Sequence, residues 1–107
     1  MVRRLKVEFL IPLKYNDGTD IEPEKLFMVK EKIVELFGGI TIHPLSTEGI
    51  WIDPKTHMKY YDKCRRFEIS VKESPEIYKN LKELKDDLKK TFRQKGIYMY
   101  YSEITQI

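Results

Sequence analysis

Leu36-Phe37-Gly38-Gly39-Ile40-Thr41, followed by Gly49-Ile50-Trp51-Ile52-Asp53, is the stretch that organises this chain. Upstream of it, Leu26, Val29, Ile33 and Leu36 recur at spacings of three and four, with Phe27, Val34 and Phe37 beside them. That spacing lines one apolar stripe on a helix. Glu22-Pro23-Glu24 opens the helix, because proline fits the first turn and acidic side chains there suit the helix dipole. Gly38 closes it, since glycine enters the left-handed conformation without strain at Cβ. Downstream, Ile40-Thr41-Ile42 reads as a short strand and His43 to Glu48 as an irregular connection. Ile50-Trp51-Ile52 and Met58 to Tyr61 then flank Asp53-Pro54-Lys55-Thr56-His57 as a hairpin.

Working outward, Leu5, Val7, Phe9 and Ile11 alternate with Lys6 and Glu8, the period of a half-buried strand over Arg3 to Leu13. Asn16-Asp17-Gly18 follows as a turn. Phe67, Ile69 and Val71 alternate in the same way with Arg66, Glu68, Ser70 and Lys72, predicting a strand from Cys64. Ser74-Pro75 caps and opens a second helix. Its stripe is Tyr78, Leu81, Leu84, Leu88 and Phe92, and its end is placed near Gly96. Ile97 to Ile107 closes the chain as a tyrosine-rich strand. The order is the split βαβ pattern of a ferredoxin-like α+β sandwich, βαββαβ, in one domain over residues 1–107 with an inserted hairpin. The first and last strands are expected at the centre of the sheet, and both helices on one face.

Size and composition agree with one two-layer core. The chain has 107 residues, 41% of them hydrophobic and 35% charged, within the ordinary range for a single folded domain. Its net charge is +3, from 20 basic and 17 acidic residues with the signs interspersed. That permits nucleic-acid binding without concentrating charge for it. The one cysteine, Cys64, excludes an internal disulfide and any multi-cysteine zinc site. No apolar run approaches the ~18 residues of a membrane span, and no secretory core follows Arg3-Arg4. A cytoplasmic location is the expectation.

No motif specifies a reaction. His43 and His57, with Asp53 and Asp62, form the only set suggestive of a small enzyme or metal site. Their spacing matches no ligand pattern, and both histidines fall in expected loops. Cys64 has Arg65 and Arg66 beside it, which would lower its pKa if they approached the sulfur. Alternation places Arg66, not Arg65, on its face, and a packed thiol is the plainer reading. Gly38-Gly39 follows a helix instead of preceding one, so it offers no cradle of helix N–H groups to a phosphate. The mixed charges of the second helix read as a solvated face.

The aromatic residues carry more. Tyr98 and Tyr100 share a face of the last strand, opposite Ile97 and Met99. With helices over Ile97 and Met99, the two tyrosines lie on the open face beside Lys6 and Glu8. Such a face suits self-association, where tyrosine is enriched, or base stacking; a plain cross-strand tyrosine ladder is the simplest alternative. The candidate surface is Trp51, Tyr60, Arg65, Arg66, Tyr98 and Tyr100. For single strands of nucleic acid, a glycine–aromatic motif is missing and Glu8 and Glu68 would repel phosphate. A non-enzymatic homo-oligomer without cofactor, assembled through the open face or an edge strand, is therefore the leading expectation.

The turn Asn16-Asp17-Gly18-Thr19, the Phe37-Gly38-Gly39-Ile40-Thr41 helix end and Gly49-Ile50-Trp51 together resemble a loose group of small uncharacterised prokaryotic proteins. These share a Phe-Gly-Gly-x-Thr helix end and a Gly-x-Trp strand. In the second half the likeness rests on Phe92 to Tyr98. It implies a compact α+β fold and no particular activity.

Overall fold

A computed structural model describes all 107 residues. The elements are β1 (Val2–Pro12), α1 (Pro23–Phe37), β2 (Thr41–Ile52), β3 (Lys59–Lys72), α2 (Pro75–Thr91) and β4 (Met99–Gln106). The sheet runs β2-β3-β1-β4, antiparallel throughout. This is the ferredoxin-like α+β sandwich that the order of elements predicts.

The period-two alternation of β1 and β3 decides the two faces. Leu5 pairs with Val71, Val7 with Ile69 and Phe9 with Phe67. All six are buried, and the Phe9 and Phe67 rings stack at 5.8 Å. Ile33 of α1 and Leu81, Leu84 and Leu88 of α2 close over them, together with Phe92 and Ile97. Each fully buried side chain of this size stabilises the fold by roughly 1.5–3 kcal/mol. Both helices therefore cover one face.

The last strand is not central. β1 pairs with β3 on one side and β4 on the other, so β4 forms an edge and β3 takes the inner place. Only one side of β4 is tied down, and six of its eight residues are exposed. Nor is the hairpin around Asp53–His57 a separate insertion. β2 runs unbroken from Thr41 to Ile52, and the hairpin is the outer end of the β2–β3 pair. The supposed irregular connection is a bulge inside β2. Between the pairs Ile42–Phe67 and Ser46–Arg65, His43, Pro44 and Leu45 oppose the single residue Arg66. Pro44 has no N–H to give a ladder, so the extra residues cost few hydrogen bonds on this outer strand.

The helix ends differ from the sequence reading in informative ways. Gly38 caps α1 at φ 88°, its N–H donating to the Val34 carbonyl. The stripe of α1 turned to the core is Leu26, Val29, Ile33 and Phe37, with Ile33 buried and the other three partly buried, and Leu36 is left 60% exposed. Leu36 and Phe37 are neighbours about 100° apart on the helix, and only one can face the sheet. Ser74 caps α2, its side chain accepting from the Ile77 N–H. α2 stops at Thr91, five residues short of Gly96. Arg93 takes the left-handed turn at φ 52° in place of a glycine, with Gln94 N–H donating to the Lys89 carbonyl. Its guanidinium lies 5.0 Å from the Tyr15 ring centre, a cation–π contact that offsets part of that strain.

Candidate functional site

The face opposite the helices has no covering element. β1 contributes Arg4, Lys6, Glu8 and Leu10 to it, and β3 contributes Cys64, Arg66, Glu68 and Ser70. Tyr100, Ser102 and Ile104 come from β4, as the cross-strand pairs Glu8–Tyr100, Lys6–Ser102 and Arg4–Ile104 require.

At its centre lies Glu8, 8% exposed although it stands on an uncovered sheet. Three donors surround it. The Tyr100 hydroxyl donates to its Oε2, Arg66 Nη1 reaches the same oxygen at 2.6 Å, and Lys6 Nζ lies 3.1 Å from Oε1. The carboxyl is held at about 2, chiefly by the Tyr100 hydrogen bond and then by Lys6 and Arg66, against the opposing effect of burial. Reciprocally, Glu8 pushes the Tyr100 phenol above its ordinary value and raises Arg66. The network continues outward: Lys6 Nζ is 3.7 Å from Glu68, and Glu68 is 3.3 Å from His43 Nε2. Two carboxylates thus meet two fixed cations, and no charge at the centre is left alone.

Aromatic side chains flank this network at two places. Tyr98 stands edge-on to Tyr100 at 5.5 Å and is 64% exposed. About 20 Å further along β3, at ~3.3 Å per residue, Trp51 stacks on Tyr60 at 4.6 Å. The Trp51 indole N–H donates to Asp62 at 2.7 Å. Both rings remain partly exposed.

Of the six residues singled out from sequence, Trp51, Tyr60, Arg66, Tyr98 and Tyr100 share the open face. Arg65 does not. It is paired with Ile11 and Ser46 on the helix side, where its Nε is buried without a hydrogen-bond partner. The single-residue step of a strand sends neighbouring side chains to opposite faces, so Arg65 and Arg66 cannot act together. The histidine set disperses as well. His43 sits at the β2 bulge against Glu68, not in a loop. His57 lies in the hairpin turn at φ 61°. Asp53 accepts the backbone N–H groups of Lys55 and Thr56, and Asp62 holds Trp51. No group of three or more His, Cys, Asp or Glu side chains is gathered as a metal site. Cys64 faces the open side, and its thiol is pushed up by burial and then by Asp62, the opposite of activation.

Sequence reading missed Glu8 as the hub. Its signal was present, since a carboxylate in mid-strand between apolar neighbours must find donors once the strand is central. A second feature was also missed. The loop Phe37 to Thr41 borders a groove of about 560 Å³ floored by Arg4, Ser70 and Ile104. Arg4 is fixed there by bonds to the Ser70 hydroxyl and carbonyl at 2.8 and 2.9 Å.

No protein-family model and no curated protein matches the chain. Among the solved structures that share its fold are the following two. One is a phage SAM lyase in complex with S-methyl-5'-thioadenosine, with a TM-score of 0.68 and 14% identity over 96% of this chain and 90% of that one. The other is the B. subtilis GlnK–ATP complex, with a TM-score of 0.62 and 17% identity over 97% of this chain and 84% of that one.

Proposed function

We propose that this chain is a self-associating module whose open sheet face is the contact surface. One observation carries the reading. The uncovered face bears exposed aromatics, Trp51 and Tyr98, around a centre whose charges are already paired. Burying a lone charge in an interface is costly, whereas a carboxylate with three donors is covered at much lower cost. Tyrosine and tryptophan supply contact area with few torsions to fix.

The test is the assembly state of Tyr98→Lys combined with Trp51→Lys, measured by native mass spectrometry beside the wild type. These two residues stand clear of the Glu8 network, whereas Tyr100→Lys would disrupt it. The expected result is a folded chain, by circular dichroism, in a smaller assembly. An unchanged assembly would remove the face from consideration.

A second reading has separate support: a small adenosine-containing ligand in the groove beside Arg4. Both solved structures of this fold named above were determined with such a ligand. The groove is of a size common for small-molecule sites. Arg4, oriented by Ser70, would supply the positive group. Calorimetric titration with ATP and with S-methyl-5'-thioadenosine tests it. Binding weakened about tenfold or more by Arg4→Ala is expected; absence of heat with both ligands at millimolar concentration disposes of it.

No helix is long and apolar enough to cross a membrane.

A further inference from the structure

The two edges of the sheet are built differently. The β2 edge carries Pro44 and a bulge where three residues face one. Proline and bulges are the devices by which edges avoid pairing with other chains. β4 has neither. Its eight residues, Met99 to Gln106, contain no proline, pair with β1 in unbroken register and include one charge, Glu103. That charge is already tied to Arg3 at 2.5 Å.

Which backbone groups of β4 are free follows from the register. The Leu10 N–H donates to the Tyr98 carbonyl at 3.1 Å, and these two residues stand directly opposite. They are thus a hydrogen-bonded pair, and in an antiparallel ladder such pairs alternate. Tyr100, Ser102 and Ile104 turn their N–H and C=O groups to β1. Met99, Tyr101, Glu103 and Thr105 turn theirs outward.

We infer that β4 pairs antiparallel with β4 of a second copy, Ser102 meeting its own equivalent at the two-fold axis. This rests on the reading above only in that the chain self-associates, and it adds a contact at the edge that the open face does not supply. That register is selected by three facts together. It engages all four outward-facing residues, setting Met99 opposite Thr105 and Tyr101 opposite Glu103 of the second copy. It places Tyr100 across from Ile104, an aromatic and β-branched pair favoured across strands. Sliding one copy by two residues one way sets Glu103 against Glu103, a like-charge clash; sliding it the other way sets Thr105 opposite Ile97, outside the strand, and leaves three of the four engaged. Pairing one edge with itself closes after two copies. The product is a continuous eight-stranded sheet with both Glu8 networks on the same side.

The experiment uses the full chain with Cys64→Ser, so that one introduced thiol is the only one present. Ser102→Cys places two cysteines in a non-hydrogen-bonded pair with Cα atoms about 4.5 Å apart, within disulfide reach. Mild oxidation should convert most of the chain to a covalent dimer on non-reducing gels. Thr105→Cys, whose partner in this register is Met99, should cross-link at least tenfold less. Adding Thr105→Pro to Ser102→Cys removes one outward N–H without touching the β1 ladder, and should abolish most of the cross-link. A folded Ser102→Cys chain that stays monomeric under oxidation overturns the inference, as does equal cross-linking through Thr105→Cys. The cross-link reads the edge alone, and the assembly of the single variant Trp51→Lys, on the opposite edge strand from β4, reads the face alone. Failure of one is therefore distinguished from failure of the other.

Discussion

On its helix side the sheet is held by a cluster of fifteen buried apolar residues; on its open side the central contact is one carboxylate and three donors. The same two strands, β1 and β3, present both. The apolar side gains from every atom removed from water and tolerates no void. The polar side is directional: Tyr100, Arg66 and Lys6 each aim at Glu8, and losing one member leaves the others unsatisfied. One face therefore supplies most of the folding free energy, while the other fixes which strands lie side by side.

The largest break in that comparison is Phe9→Ala. Phe9 is fully buried against Phe67, so the substitution leaves a cavity and should cost about 3–5 kcal/mol in urea unfolding. A loss below about 1 kcal/mol would mean that the helix face is less tightly packed than its burial implies.

Glu8→Gln comes next, at about 1–3 kcal/mol, and its signature is pH. The folded carboxyl is held at about 2 against an ordinary value of 4.5. Between those values the unfolded chain binds more protons than the folded one, so folding weakens as pH falls. The stabilisation is complete above about pH 4.5 and is lost on approach to pH 2. Unfolding midpoints measured from pH 6 to pH 2 should fall less steeply in Glu8→Gln than in the wild type. Parallel curves would place the acid sensitivity elsewhere.

The smallest effect sharpens the contrast. Tyr98→Ala, at a site 64% exposed beside Tyr100, should change the stability of the isolated subunit by no more than about 0.5 kcal/mol. A larger loss at high concentration than in dilute solution would identify its contact as one between copies.

The legibility of each face in the sequence follows from the same difference. Alternation in β1 and β3, Pro23 and Pro75 at the helix starts and Gly38 at a helix end are local signals, and each stands where local chemistry put it. The facing of Tyr98 and Tyr100 was readable because strand parity is local as well. What escaped depends on contacts distant in sequence. β4 lies at the edge because β3 occupies the place beside β1, and nothing in Ile97 to Ile107 records that. Arg93 ends α2 because Tyr15, far upstream, supports its guanidinium. The β2 bulge is hidden because His43-Pro44-Leu45 looks like a loop, and only the unbroken pairing after Ser46 shows otherwise. Glu8 reads as an ordinary solvent-facing residue until Tyr100 and Arg66 are brought to either side.

The long β2–β3 pair has a consequence for shape. Beyond the bulge, its outer half carries Ile50, Ile52, Tyr61 and Trp51, all at least 45% exposed. It is a two-stranded ribbon, because β3 pairs with β1 only from Cys64 onward and the outer half has β2 as its one neighbour. At its root the bulge lies directly across from Arg66, next to the pair Ile42–Phe67. The apolar tip therefore projects beyond the core, while Arg66 ties the root of the ribbon to Glu8.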